Sequence, residues 1–343
     1  MKIVIDAMGG DNAPQEVVRG VVEAAPQIPE ATLVLVGQKE RIEPLLAECG
    51  AVPGNVQVKH ATQIIDMDEE PVQAFRRKND SSMRVALRAV KHGDADAVIS
   101  AGNTGALVGG AMLGLGEIEG VKRPGIAIPI PTEAGCSALI DVGANPLCKA
   151  IHLLQYGIMG SLYIKYLRSG LDNPTVGLLN IGEESMKGTA LHREAYAAFQ
   201  KTSLNFIGNV EPQKIFSGKV DVIVCDGFTG NIVLKMTEGL GGFMLKQLTN
   251  GLASSLDVKK GVDKIASCLD YSEYGGAPVL GVRGIVIKCH GRSKSRAIAN
   301  AVRTTAGFIR NKLKDHIRDE IKKMSRWGWL STWWSASKKE EGE

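Results

Sequence analysis

Short apolar runs alternate with longer amphipathic stretches along the 343-residue chain, and this alternation limits the fold to a few classes. Residues 2–7 (KIVIDA), 31–37 (ATLVLVG) and 96–100 (DAVIS) are nearly continuous apolar runs, which is typical of strands buried on both faces. Helical patterns occur at 15–25 and 81–92. We therefore predict an α/β fold in which helices cover both faces of a mostly parallel sheet. The other predicted strands are 55–60, 125–131, 137–142, 175–181, 205–208, 220–225 and 284–289, and a further helix is predicted at 147–168.

Two segments depart from this alternation. Residues 125–131 carry Pro129 and Pro131, and prolines favour an edge or bent strand over a central one. The stretch 229–270 has a helical pattern and contains no strand, so we predict a long helical excursion there. Its leucines repeat at helical spacing and form an apolar stripe on one face, which predicts contact with a partner subunit or with a membrane. The stripe consists of Leu245, Leu248, Leu252 and Leu256.

Charge and tryptophan are both concentrated near the end of the chain. Residues 281–326 hold 13 lysines and arginines against three acidic residues, although the whole chain has a net charge of only +4. This excess predicts an acidic partner: nucleic acid, an anionic lipid surface or an acidic protein. All four tryptophans lie in the tail 326–343. We predict one catalytic α/β domain over 1–325, followed by a flexible tryptophan-rich tail.

Cysteine usage and hydropathy indicate the compartment. The six cysteines are scattered and form no C-x-x-C pair, so we expect reduced thiols in a cytoplasmic protein. No apolar run approaches the roughly 20 residues that span a bilayer. Met1 and Lys2 lead straight into a strand pattern, which predicts no signal peptide.

Glycines and polar side chains follow six of the predicted strands. In doubly wound sheets, ligands bind beyond the carboxyl ends of the strands, so we expect these turns to converge on one crevice. Glycine-rich backbone at the start of a helix binds anions, which makes 101–106 a candidate anion site. The six turns are 6–14 (DAMGGDNAP), 101–106 (AGNTGA), 141–146 (DVGANP), 180–189 (NIGEESMKGT), 226–231 (DGFTGN) and 290–293 (HGRS).

Several familiar chemistries lack their motifs. The chain contains no G-x-S-x-G, no H-E-x-x-H and no cysteine and histidine spacing typical of zinc sites. Residues 182–189 (GEESMKGT) place lysine and glycine in the wrong order for a phosphate-binding P-loop. Glycines 114, 116 and 120 lie at a predicted helix end and do not match a dinucleotide fingerprint. We therefore expect neither a metal nor a cofactor.

Together these turns resemble the phosphate acyltransferase (PlsX) family of bacterial phospholipid synthesis. The resemblance runs in order over roughly residues 1–320 and does not include the tryptophan-rich tail. The matching stretches are 3–14 (IVIDAMGGDNAP), 100–106 (SAGNTGA), 141–145 (DVGAN), 179–189 (LNIGEESMKGT), 225–238 (CDGFTGNIVLKMTE) and 276–291 (GGAPVLGVRGIVIKCHG).

The resemblance implies a Rossmann-like three-layer α/β/α sandwich that is related to phosphotransacetylases, and it implies a homodimer. The implied reaction is transfer of a fatty acyl group from an acyl-carrier-protein thioester to inorganic phosphate. The acyl phosphate would then feed a membrane enzyme that acylates glycerol 3-phosphate. Phosphate is already an anionic nucleophile, so such an enzyme needs to position phosphate and stabilise the oxyanion more than it needs a side-chain nucleophile.

Residue roles follow from this chemistry. We predict Lys187 as the cation on phosphate or oxyanion, His290 as the acid for the leaving sulfur and Asn231 as a polar group at the reacting centre. A structural role for His290, beside a glycine turn, is about equally compatible with the sequence. The aspartates among the predicted binding residues could instead fix loop geometry. The residues predicted to bind phosphate or substrate are Asp6, Gly9, Gly10, Asn12, Gly102, Asn103, Thr104, Gly105, Asp141, Asn145, Asp226 and Thr229.

The basic segment and the tail predict two further contacts. We expect the acidic carrier protein, and not nucleic acid, to dock on exposed cations. The tryptophans and neighbouring cations, or the leucine stripe, would hold the enzyme reversibly at the membrane surface. Two alternatives remain: a phosphotransacetylase that uses short-chain acyl-CoA, and a non-catalytic regulator or scaffold on the membrane. The predicted carrier-docking residues are Arg283, Lys288, Arg292, Lys294 and Arg296.

Overall fold

The computed structural model describes residues 1–252 and 274–324. The strands are β1 (Lys2–Asp6), β2 (Thr32–Gly37), β3 (Val56–His60), β4 (Ala97–Ser100), β5 (Gly125–Thr132), β6 (Gly135–Ile140), β7 (Thr175–Leu179), β8 (Asn205–Val210), β9 (Val222–Val224), β10 (Ala277–Leu280) and β11 (Ile285–Lys288). The helices are α1 (Gln15–Ala24), α2 (Lys39–Glu48), α3 (Pro71–Arg77), α4 (Ser82–Lys91), α5 (Thr104–Gly114), α6 (Ala150–Leu167), α7 (Ala190–Phe199), α8 (Gly227–Leu252), α9 (Ser295–Arg310) and α10 (Leu313–Met324).

All of these strands join one sheet, in the order β3-β2-β1-β4-β11-β10-β5-β6-β9-β7-β8. Seven of the ten pairings are parallel, so the predicted mostly parallel sheet is confirmed. The three antiparallel pairings follow one another in the middle of the sheet and join β11 to β10, β10 to β5 and β5 to β6. The sheet therefore consists of two parallel halves that run in opposite directions.

Alternating side chains of the strands form the core on both faces. Ile3 and Ile5 of β1 belong to the buried cluster that contains residues of α1, α6 and α9. Val4, between them, points to the other face and belongs to the cluster that contains residues of α4 and α5. Because helices cover both faces, the architecture is the predicted three-layer sandwich.

The middle of the sheet differs from the sequence prediction. β5 is not an edge strand, because it pairs with β10 on one side and with β6 on the other. Its prolines are tolerated because the pairing with β10 involves only Gly125 and Ile126, so Pro129 and Pro131 lie where β6 alone is hydrogen-bonded. Strand β10 was not predicted, because its four residues follow a glycine-rich run and include a proline.

The long helical excursion is present as the 26-residue α8. Leu245 and Leu248 of the predicted stripe are half-buried on this helix. The side chains of Leu252 and Leu256, the rest of the excursion after residue 252 and the tail 326–343 lie outside the described residues. The exposed apolar side chains of α8 recur at spacings of three and four residues, on one face of the helix. They are Phe228, Ile232, Met236, Leu240, Phe243 and Met244.

Candidate functional site

The opposed halves of the sheet place the predicted site residues in two clusters. β1, β4 and β11 are parallel neighbours, so their following turns lie at one edge of the sheet. We call these turns the first cluster. β6, β9 and β7 run the other way, so their turns form a second cluster at the opposite edge. The prediction that all six turns converge on one crevice is therefore wrong, because three successive antiparallel pairings between β11 and β6 reverse the strand direction.

Asp6 organises the floor of the first cluster. Its buried carboxylate accepts a hydrogen bond from Ser100 Oγ at 2.7 Å and another from the Met8 N–H at 3.3 Å. Ser100 Oγ in turn accepts the Gly102 N–H at 3.0 Å. Desolvation raises the pKa of Asp6, while these hydrogen bonds and one from Ser82 oppose that rise. Asp6 therefore fixes the turns after β1 and β4.

The glycines of the first cluster let three turns approach each other closely. A Cβ at Gly9 would stand 2.7 Å from the Gly102 nitrogen, so only glycine fits there. Gly10 has a φ of +106°, and its neighbour Asp11 donates its N–H to the Gly291 oxygen at 2.8 Å. Asn12 completes this link, because its Nδ2 donates to the oxygens of residues 292 and 293. The turns after β1, β4 and β11 thus form one backbone assembly.

Asn103 performs a structural role at the start of α5. Its Oδ1 accepts the Ala106 N–H at 3.0 Å and caps the helix. Its Nδ2 donates to the main-chain oxygens of Met67 and Glu69, each at 3.1 Å. The Asn103 amide is therefore directed at the 66–69 loop, and it is not presented to a ligand as predicted. Thr104 and Gly105 are exposed in the first turn of the helix.

Two ionisable side chains from the end of β11 join the first cluster. Lys288 is buried, and its Nζ donates to the main-chain oxygens of Ala101, at 3.4 Å, and of Cys289. Desolvation lowers the pKa of Lys288 to about 8. His290 is half-buried and its Nδ1 accepts the Arg292 N–H at 3.1 Å. Desolvation also lowers the pKa of His290, which favours a neutral ring with its proton on Nε2.

The second cluster is built around Asp141. This carboxylate accepts the N–H groups of residues 126, 143, 144 and 145 at 2.8–3.1 Å. Desolvation raises the pKa of Asp141, while these four bonds favour its ionised form. Asn145 donates to Asp141 and to the Tyr156 hydroxyl, and is buried. The Asp141 carboxylate and the Asn145 amide nitrogen are therefore both engaged within the protein.

Helix α8 begins in this second cluster. Asp226 precedes it, and its carboxylate accepts hydrogen bonds from the N–H and Oγ1 of Thr229 at 2.9 and 2.7 Å, which caps the helix. Asn231 lies further along the same helix. It faces the turn after β6, because a Cβ built on Gly143 would stand 3.8 Å from Asn231. Glu238 lies about 17 Å along α8 from the first residue of this helix. Desolvation lowers the pKa of His290, and the negative charge of Glu238 opposes that change. The helix therefore extends from the second cluster towards the first.

Lys187 lies in the second cluster, in the turn after β7. Its side chain is exposed, and its main-chain oxygen accepts from Asn180 Nδ2 at 3.1 Å. β7 is six strand positions from β4, about 29 Å along a sheet with a spacing of roughly 4.8 Å. Within one subunit, Lys187 is thus not the cation of a phosphate site at the turn after β4.

The predicted docking cations do not share one surface. Lys288 is buried, so it is not available for docking a partner protein. Arg283 is exposed but precedes β11, at the opposite edge of the sheet from the turn that follows this strand. Arg292, Lys294 and Arg296 are exposed after β11 and remain neighbours of the first cluster.

The sequence analysis missed two serines. Ser100 ends β4 and Ser82 starts α4, and both take part in the hydrogen bonding of Asp6. A polar residue at the end of the apolar run DAVIS was the available signal for Ser100. Nothing in the local pattern distinguishes Ser82 from an ordinary helix-start serine.

Two negative findings apply to residues 1–252 and 274–324. Within these ranges no group of three or more histidine, cysteine, aspartate or glutamate side chains is arranged to hold a metal ion. No helix in the same part of the chain is long and apolar enough to cross a bilayer.

Comparison with solved structures defines the class of fold. A phosphotransacetylase from Streptococcus pyogenes superposes with a TM-score of 0.61 at 18% identity, covering 90% of this chain and 94% of that one. The EutD phosphotransacetylase from Staphylococcus aureus gives a TM-score of 0.55 at 16% identity, covering 90% of this chain and 93% of that one. The opposed two-half sheet with glycine-rich turns is thus a phosphotransacetylase-type α/β fold.

Sequence comparison identifies the family, which comparison of folds alone does not. Residues 1–316 match the family model described as fatty acid synthesis protein. A protein named phosphate acyltransferase from Desulfitobacterium hafniense (strain DSM 10664 / DCB-2) is 48% identical over 94% of this chain and 98% of its own length. One of the same name from Pelotomaculum thermopropionicum is 46% identical over 94% of this chain and 95% of its own. The chain belongs to the phosphate acyltransferase family, and the predicted resemblance is confirmed.

Proposed function

We propose that this enzyme transfers a fatty acyl group from an acyl-carrier-protein thioester to inorganic phosphate. The product is an acyl phosphate for phospholipid synthesis, which a membrane glycerol-3-phosphate acyltransferase would consume. The observation that carries the proposal is the first cluster. There an exposed helix start, at Thr104 and Gly105, stands beside a buried lysine and a histidine.

This arrangement suits attack by phosphate on a thioester. Backbone N–H groups at a helix start favour an anion, and this positions the nucleophile. The cluster has a side chain for the leaving group, because a neutral His290 with its proton on Nε2 donates a hydrogen bond that stabilises the departing thiolate sulfur. Ser100 is not presented as a nucleophile, since it is buried and bonded to Asp6. Phosphate itself therefore supplies the attacking oxygen.

The acyl donor is the first point to test. We expect the same fatty acyl group to be released at least tenfold faster from the carrier protein than from coenzyme A, measured as free thiol with and without phosphate. Equal rates from both donors would contradict a carrier-protein-specific enzyme and would favour the alternative of a phosphotransacetylase that uses acyl-CoA. Thiol release that does not depend on phosphate would contradict acyl transfer to phosphate.

We propose that the carrier protein docks on Arg292, Lys294 and Arg296, beside the first cluster. Carrier proteins are acidic, and opposite charges raise the association rate in a salt-dependent way. Replacing Arg292 and Lys294 by glutamate should raise KM for the carrier thioester while leaving a small thioester analogue almost unaffected. Glutamates at Lys165 and Lys219, which are exposed elsewhere, provide the matched control.

We also propose a homodimer. The exposed apolar face of α8 supports it, because six large apolar side chains on one helix face would otherwise remain in water. Ile232→Glu with Met236→Glu should convert the protein to monomers in sedimentation, whereas Lys91→Glu, at an exposed position on α4, should not. An unchanged sedimentation coefficient in the double variant would rule out this face as the interface.

The proposed setting is the cytoplasmic surface of the membrane, with reversible binding and no crossing. An acyl phosphate has an apolar chain, so its release near lipid suits the enzyme that uses it next. Co-sedimentation with anionic liposomes should be lower for a chain that ends at Met324 than for the full chain. Binding that is unchanged by this truncation would exclude the tryptophan-rich tail as the anchor.

A further inference from the structure

We propose that Lys288 is the cation that binds phosphate in the first cluster. This inference rests on the proposed function, because it assigns the anion that the site accepts. Lys288 takes the place of Lys187 as the predicted phosphate cation, because Lys187 lies in the other half of the sheet. The proposal also gives Lys288 a role different from the predicted carrier docking.

The surroundings of Lys288 are unusual for a buried lysine. Its side chain is 9% exposed, yet no carboxylate in residues 1–252 or 274–324 lies within ion-pair distance of its ammonium. The hydrogen bonds of Nζ run to two main-chain oxygens, on Ala101 and Cys289. An ammonium carries three N–H donors, so these two carbonyls leave one for a ligand.

The nearby acidic groups do not neutralise this charge directly. Asp6 and Asp11 interact with Lys288 only as charges at longer range. The Asp6 carboxylate is occupied by Ser100 and by the Met8 N–H. A buried cation without a bonded counter-ion is unfavourable, and a bound anion beside it would offset that cost.

The position of Lys288 matches the predicted anion site. Its Cα pairs with that of Ser100, so the two residues end neighbouring parallel strands. The bond from Nζ to the Ala101 oxygen places the ammonium against the turn that leads into α5. Gly9 and Gly102 pack with no side chain between the turns. One phosphate would therefore meet the helix start of α5 and the lysine together.

Two variants separate charge from packing. Lys288→Met removes the charge and fits a buried apolar site, and Lys288→Gln retains an amide that can donate to the two carbonyls. We expect both to raise KM for phosphate at least tenfold while KM for the acyl donor stays within twofold. Lys91→Met, at the exposed end of α4, is the control and should leave both constants unchanged.

Phosphate binding by itself provides a readout that does not need turnover. Adding phosphate should raise the melting temperature of the wild type and of Lys91→Met, and this rise should be lost in both Lys288 variants. An unchanged rise, or an unchanged KM for phosphate in either variant, would overturn the assignment. If the wild type binds phosphate but shows no phosphate-dependent thiol release, the proposed function fails while the Lys288 site stands.

Discussion

Gly230 lies directly against the main-chain oxygen of Asp141. A Cβ at position 230 would overlap that oxygen, and it would also stand 2.8 Å from Cys225 Sγ. This contact joins the first turn of α8 to the turn that follows β6. The start of the longest described helix is therefore positioned by backbone packing as well as by its Asp226 cap.

Gly230→Ala should destabilise the protein strongly, by roughly 2–4 kcal/mol, because neither the turn nor the helix can move without breaking buried contacts. Gly307→Ala, within α9, is the matched control. Nothing lies within 4 Å of a Cβ there, so alanine should be neutral or stabilise by up to about 1 kcal/mol. Urea unfolding of both variants tests this, and equal stability of the two would refute the packing argument.

Asn103→Ala should cost about 1–2 kcal/mol of stability, because it removes the cap of α5 and leaves main-chain oxygens of the 66–69 loop without their donor. KM for phosphate should rise as well, since the turn is no longer held in place. Thr104→Ala, at the exposed next position, should change the free energy of unfolding by less than about 0.5 kcal/mol. A fully stable Asn103→Ala would show that the loop contacts contribute nothing.

Local patterns were sufficient to predict most of the strands, the helices flanking them and the glycine turns. They were not sufficient to predict how those turns combine. The reversal between β11 and β6 depends on tertiary pairing through β10 and β5, and Pro129 misleadingly favoured an edge strand. The role of Lys288 was also hidden, because an apolar run followed by a basic residue does not show which way the ammonium points. Burial and the contact with Ala101 correct that prediction.

His152 should make the protein sensitive to acid. It is buried at the start of α6, its Nδ1 accepts the Lys149 N–H, and desolvation lowers its pKa from 6.5 to about 4. Between these values the unfolded chain binds the proton and the folded chain does not, so stability falls as the pH drops from about 6.5 to 4. His152→Asn should retain about 3 kcal/mol more of its pH 7 stability at pH 4 than the wild type does. His92→Asn, at an exposed position, should behave like the wild type.

Lys288 should affect stability in the alkaline range. Its pKa is lowered from 10.5 to about 8, so between these values the unfolded chain holds a proton that the folded chain has released. Stability due to this group therefore rises with pH across that window, by about 3 kcal/mol at most. The unfolding free energy of the wild type minus that of Lys288→Met should increase from pH 8 to 10.5 in phosphate-free buffer. A constant difference would place the ammonium in a solvated environment.

Direct observation of the acyl phosphate is the most decisive measurement. The enzyme, an acyl-carrier-protein thioester and inorganic phosphate would be followed by phosphorus NMR while free thiol is titrated in the same sample. We expect an acyl phosphate resonance that grows in step with the thiol and requires phosphate, and that grows at least tenfold more slowly with Lys288→Met at limiting phosphate. Free fatty acid formed at the same rate with or without phosphate, and no new phosphorus resonance, would contradict acyl transfer to phosphate.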